Sequence, residues 1–225
     1  MSRIQFKNRI LQLSILINAV LFMISCGTAT QNESRDLNAL KENALLALHN
    51  VLNNQEEWVK VHAAEFLVWT GHKDSVRPVF LEEEKTLGTK NQYRIGIWRV
   101  LAQDADDAET KKLYTGKIMQ AFLDTAGQDR IHAAETLAKL GISPMQENTG
   151  ITLQTLSSPV KSLALYTRWA TAYTSADSMA PVQKSFYRIL MEDAQELSVR
   201  KLAAFVLRKM ETVSEEDWIK LAEKA

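Results

Sequence analysis

Two copies of His-x-x-Glu, His62/Glu65 and His132/Glu135, are the residues best placed to do chemistry in this chain. At i and i+3 on a helix, an imidazole and a carboxylate share one face. Two such pairs facing each other would offer the nitrogen and oxygen donors of a transition-metal site. A second candidate is Cys26, the one cysteine among 225 residues. A third is a recurring cation at Lys60, Arg94, Arg130 and Arg200, able either to form a basic stripe for an anionic partner or to brace neighbouring turns. No Gly-rich phosphate loop, Gly-x-Ser-x-Gly elbow or His-Glu-x-x-His is present in the sequence. The expectation is therefore a protein that is not an enzyme and holds no cofactor.

Composition narrows the class. Hydrophobic residues make up 46% and charged residues 24%, enough for a packed core. Eight glycines and four prolines disfavour a turn-dense β-sandwich. The formal net charge of zero argues for no nucleic-acid partner. A lone cysteine excludes a disulfide framework and a thiolate zinc site.

The first 26 residues read as an address. Arg3, Lys7 and Arg9 precede a mostly apolar run from Ile10 to Ile24, and Ser25-Cys26-Gly27 follows. A basic start, an apolar stretch and a small residue before the cut describe a secretory signal. Met23-Ile24-Ser25-Cys26 resembles the lipobox of bacterial lipoproteins, with methionine where leucine is usual. That resemblance implies cleavage after residue 25 and acylation of Cys26. It implies a membrane anchor through the N-terminal lipid, on the periplasmic side of the outer membrane. Residues 26–35 then form the lipidated cysteine and a polar tether, and residues 36–225 the folded domain.

From Asp36 onward apolar residues recur at three and four, as along Leu37, Leu40, Leu45, Leu48 and Leu52, so the domain is expected to be all-α. It is also repeated. Lys60-Val61-His62-Ala63-Ala64-Glu65-Phe66-Leu67 returns at Arg130–Leu137 and at Arg200–Leu207, starts seventy residues apart. Diverged copies sit between them at Arg94–Leu101 and Ser162–Trp169, giving a unit of about 35 residues, the length of two helices and two turns. The spacing predicts outer helices near 36–53, 74–86, 108–125, 145–156 and 180–194, and inner helices near 56–70, 91–103, 128–140, 159–173 and 197–210. Ser214-Glu215-Glu216-Asp217 begins like a capping box, predicting a terminal helix over the last repeat.

A basic residue, spacers, Ala-Ala and an apolar ending resemble the second helix of short HEAT repeats of the phycobilisome-lyase-like kind, and Val76-Arg77-Pro78-Val79-Phe80-Leu81 and Ala180-Pro181-Val182 resemble their first. The resemblance implies a right-handed α-solenoid of about five helix pairs with a C-terminal capping helix. It implies an unidentified envelope protein as partner, a domain monomeric when unbound, and an interaction face lined by His62, Glu65, Trp69, Arg99 and Glu135. Within such a stack the two His-x-x-Glu pairs lie roughly 18–20 Å apart, one helix intervening, too far to share a metal. Glu65, Arg99 and Glu135 fall in one register and are expected to form an exposed acid–base–acid ladder, contributing about 0–1 kcal/mol per pair. The bulky Trp98 and Tyr166 are expected to plug the space left by Ala63-Ala64, Ala133-Ala134 and Ala203-Ala204.

Overall fold

The computed structural model describes the backbone of residues 36–210 and 214–224, with side chains over 36–210 and 214–219. The expected signal, Cys26 and tether lie outside the described residues. What is described is all-α, without a strand. It falls into two units divided between Val51 and Leu52. Of the first, the helix α1 is described from residue 36 and ends at residue 54 within the second. Leu37 and Leu40 of its expected apolar face stand exposed. An apolar stripe states which face could be buried, not what arrives to bury it.

The second unit holds α2 (Glu57–Trp69), α3 (Val76–Leu87), α4 (Tyr93–Asp104), α5 (Ala108–Leu123), α6 (Arg130–Lys139), α7 (Thr149–Leu156), α8 (Lys161–Thr171), α9 (Met179–Met191), α10 (Leu197–Met210) and α11 (Glu215–Lys224). Each coincides with an expected helix to within a few residues. The largest departure is α7, where a turn after Pro144 delays the start until Asn148 caps it by accepting from the Ile151 N–H at 2.9 Å. The even-numbered helices pack in succession, α2 on α4, α4 on α6, α6 on α8 and α8 on α10, while α3, α5, α7 and α9 flank them.

Helices α2 and α6, equivalent in the repeat, end alike. Gly71 and Gly141 take φ of 82° and 69°, the left-handed region that glycine enters without a Cβ clash. The following N–H groups of His72 and Ile142 then return to the carbonyls of Leu67 and Leu137 at 2.8 and 2.9 Å. The first two members of the seventy-residue superperiod thus share a turn as well as a helix face, while the third carries Glu211 at the glycine's position.

The recurring cations brace. Lys60 reaches Glu83 of α3 at 2.6 Å. Arg94 grips buried Asp129, in the turn before α6, through Nε at 2.7 Å and through Nη2. Arg130 and Arg200 each donate Nε at 3.0 Å to a carbonyl in the last turn of the preceding flanking helix, Phe122 of α5 and Leu190 of α9. These carbonyls lack helical partners and carry the negative end of the helix dipole, so a guanidinium satisfies both needs.

The expected plugs are corrected. Ala63, Ala64, Ala133, Ala134 and Ala203 are buried, and the bulky residues of α4 and α8 that are buried with them are Ile97, Leu165 and Trp169. Trp98 and Tyr166 are half-buried and lie against the edge of the core. One residue along a helix turns the side chain by about 100°, so Ile97 enters the seam and Trp98 is carried aside. There Arg94 and Lys117 sit 5.5 and 5.6 Å from its ring. Ala204 is exposed, since α10 ends the row and no further helix of the row follows among the described residues.

The terminal helix begins as expected, with Ser214 Oγ accepting from the Asp217 N–H at 3.1 Å. Trp218 and Ile219 remain exposed rather than buried on the last repeat.

Candidate functional site

The C-terminal halves of the even-numbered helices enclose a pocket of about 410 Å³. α2 supplies His62, Glu65, Phe66 and Trp69, α4 Gln103, α6 Lys139, α8 Trp169, and α10 Phe205, Arg208 and Lys209; Tyr173 follows α8. Two columns of the repeat place most of these. Residues five beyond the basic position include Glu65, Arg99, Glu135 and Phe205, and residues nine beyond include Trp69, Gln103, Lys139 and Lys209. The 3.6-residue turn puts positions four apart on one face.

The floor is a buried ion pair. Arg99 donates Nη2 to Glu65 Oε2 at 3.0 Å, and its Nε lies at ion-pair distance, 2.7 Å, from Oε1 without the alignment of a hydrogen bond. Arg99 is 1% exposed and Glu65 is likewise buried, so the exposed ladder is corrected here: the rung is desolvated. The second rung is not made. Arg99 Nη1 goes to Thr136 Oγ1 at 3.4 Å, and Glu135 pairs with Lys139 at 2.7 Å within α6. An i,i+4 partner on the same helix costs less ordering than one across a seam.

Glu65 collects further donors. Gln103 Nε2 reaches Oε1 at 3.1 Å and His62 Nδ1 lies 3.2 Å from Oε2; a carboxylate only accepts, so the imidazole N–H donates. Burial raises the Glu65 carboxyl, but the His62 hydrogen bond, the charges of Arg99 and Lys139 and the Gln103 hydrogen bond outweigh it and bring the pKa down to about 2. Burial, then the charge of Arg99, lowers the Lys139 ammonium from its ordinary value against the pull of Glu135.

The second His-x-x-Glu pair does different work. His132 stacks on Trp58 at 4.8 Å and 27°, and burial lowers its pKa, favouring the neutral imidazole. Trp58 stems from α2 yet reaches α6 because α4 carries Gly96 between them. A Cβ there would meet Val61 Cγ2 at 2.8 Å and Trp58 Cζ3 at 3.1 Å. The two pairs are therefore absorbed separately, His62/Glu65 into the ion-pair network and His132 into an aromatic stack. Among the described residues no group of three or more His, Cys, Asp and Glu could hold a metal ion.

Of the five expected surface residues, His62 and Trp69 are exposed, Glu135 is half-buried, and Glu65 and Arg99 form the floor beneath. Trp69 donates Nε1 to Gln103 Oε1 at 2.7 Å, with Lys209 of α10 5.1 Å from its ring. Lys139 lies 5.7 Å from the Phe205 ring, whose edge meets Trp169 at 6.0 Å and 88°. Sequence reading missed Phe66, Gln103, Lys139, Trp169, Tyr173, Phe205, Arg208 and Lys209. The column nine beyond the basic position, the signal that would have found three of them, was there to follow from Trp69. No protein-family model matches the chain, and no curated protein or solved structure is similar to it.

Proposed function

We propose that this chain is a membrane-anchored lipoprotein of a bacterial envelope whose helix pairs form a HEAT-like solenoid serving as a protein-interaction scaffold. The signal-like start and the lipobox-like Met23–Cys26 support the anchor. No helix among the described residues is long and apolar enough to cross a membrane. The succession of even-numbered helices, each packed on the next and flanked by the odd ones, is the arrangement a solenoid of helix pairs requires. In this reading those helices line the inner face and the partner lies along it.

The observation that carries the reading is the pair Phe66 and Trp69 on α2. They are 52% and 53% exposed, edge to face at 5.4 Å, on the rim of the pocket. Two adjacent exposed aromatics beside a desolvated ion pair have the make-up of an interface anchor. The test is cross-linking in the native membrane followed by purification of the lipidated chain. A near-stoichiometric partner should be captured by the wild type and lost from Phe66→Ser/Trp69→Ser, with helical content and melting temperature unchanged. Capture that survives the double substitution places the interface elsewhere. Cys26→Ser should release the protein from the membrane fraction and remove the acyl mass.

A further inference from the structure

The same pocket has charges and rings that an anchor at Phe66 and Trp69 leaves unused. Its charges do not balance. Glu65 is neutralised by Arg99 and Lys139 by Glu135, whereas Arg208 and Lys209 have no acid within ion-pair distance among the described residues. Both are exposed at the end of α10, next to the pocket wall. The walls are rings: Phe66, Trp69, Trp169, Tyr173 and Phe205.

Trp169 is 1% exposed and lines the pocket with its ring, and the Trp69 indole N–H is already given to Gln103. Two cations without an acid partner among the described residues, beside an aromatic wall, fit an anion with an apolar body. A pocket of about 410 Å³ falls within the range that holds a small molecule.

We propose that the pocket binds a small amphipathic organic acid, its carboxylate held by Arg208 and Lys209 and its apolar body laid against Trp69, Trp169 and Phe205. Nothing in this assignment uses the His-x-x-Glu pairs as ligands.

The test uses the full chain with ¹⁵N-labelled indoles, titrated with 4-phenylbutyrate and, separately, with 4-phenylbutanol and 4-phenylbutylamine. Trp169→Phe, or elimination through Trp58→Phe, Trp69→Phe, Trp98→Phe and Trp218→Phe should Trp169→Phe not fold, assigns the Trp169 Nε1–H resonance. The acid should shift that resonance saturably as it packs against the ring. The alcohol should bind about tenfold more weakly and the amine not at all. Arg208→Glu/Lys209→Glu, both exposed and outside the core, should weaken the acid by tenfold or more, about the loss of one charge-assisted contact. A Trp169 resonance indifferent to the acid, equal response to acid and amine, or unchanged affinity in the charge-reversed protein would each overturn the assignment. Protein capture through Phe66 and Trp69 is read separately, by the cross-linking experiment, in which Arg208→Glu/Lys209→Glu should behave as wild type.

Discussion

In the seam between α2 and α4, one repeat position holds Glu65 and Arg99; on α8 and α10 the same position holds Thr167 and Phe205. In the first seam two buried charges grip each other through contacts of 2.7 and 3.0 Å. Toward the other end Thr167 satisfies its hydroxyl inside its own helix, on the Leu163 carbonyl at 2.8 Å, and leaves the contact to Trp169 and Phe205. Apolar burial stabilises without regard to register. A buried ion pair with a directed hydrogen bond forms only when the two helices are set at one height, and its net contribution is small because desolvation consumes most of the attraction. The polar seam thus buys position, and the aromatic seam supplies stability.

That contrast can be broken most sharply by removing one charge. Glu65→Leu leaves the Arg99 guanidinium buried and unpaired and should cost about 3–5 kcal/mol in urea unfolding. Glu65→Leu/Arg99→Met should return to wild-type stability or above. In the aromatic seam Trp169→Ala should cost a similar 3–5 kcal/mol with no such rescue by a second substitution. A Glu65→Leu penalty below about 1 kcal/mol would mean that the pair does not hold the seam.

Acid distinguishes the seams next. The folded carboxyl of Glu65 titrates at about 2. Because this value is depressed, the unfolded chain takes up its proton first as pH falls. The contribution of Glu65, about 3 kcal/mol on 1.36 kcal/mol per pKa unit, is fully present above roughly pH 4.5 and disappears as pH falls through 2. Unfolding followed from pH 6 to pH 2 should show this loss in wild type and in Trp169→Ala, and a flatter profile in Glu65→Gln.

A smaller effect tests the close approach of α2 to α4. Gly96→Val forces Val61 and Trp58 aside and should cost about 1–3 kcal/mol despite removing a helical glycine. Ring-current shifts on His132 should vanish with it, reporting separation from Trp58. Smallest is Lys209→Gln, which removes an exposed cation 5.1 Å from the Trp69 ring and should cost about 0.5–1 kcal/mol in the same assay.

Much of the fold was legible because apolar spacing and small-residue pairs are local signals. Ala63-Ala64 and Ala133-Ala134 mark helices pressed on both sides, and both pairs are buried. Trp98 misled because size says that a ring must be packed but not toward which neighbour. A single step along α4 decides between seam and flank. Glu65 and Arg99 were found in register, yet their burial depends on what Phe66, Trp69 and Gln103 cover, which sequence does not state. Trp58 stacking on His132 was out of reach, since it requires knowing that Gly96 lets one side chain pass across an intervening helix.

The contact of Lys209 with Trp69 joins helices near the two ends of the repeated sequence. Arrays of this kind change length in evolution by duplicating or losing a unit, here one of about 35 residues, because each added unit meets only its neighbours. A chain whose last repeated helix must meet its first is not free to do so. One more helix pair inserted between α4 and α6 would part Lys209 from Trp69 and open the pocket they share. The span from α2 to α10 is therefore fixed by a contact between its ends, and a lengthened chain should lose the Lys209–Trp69 contact before it loses its helices.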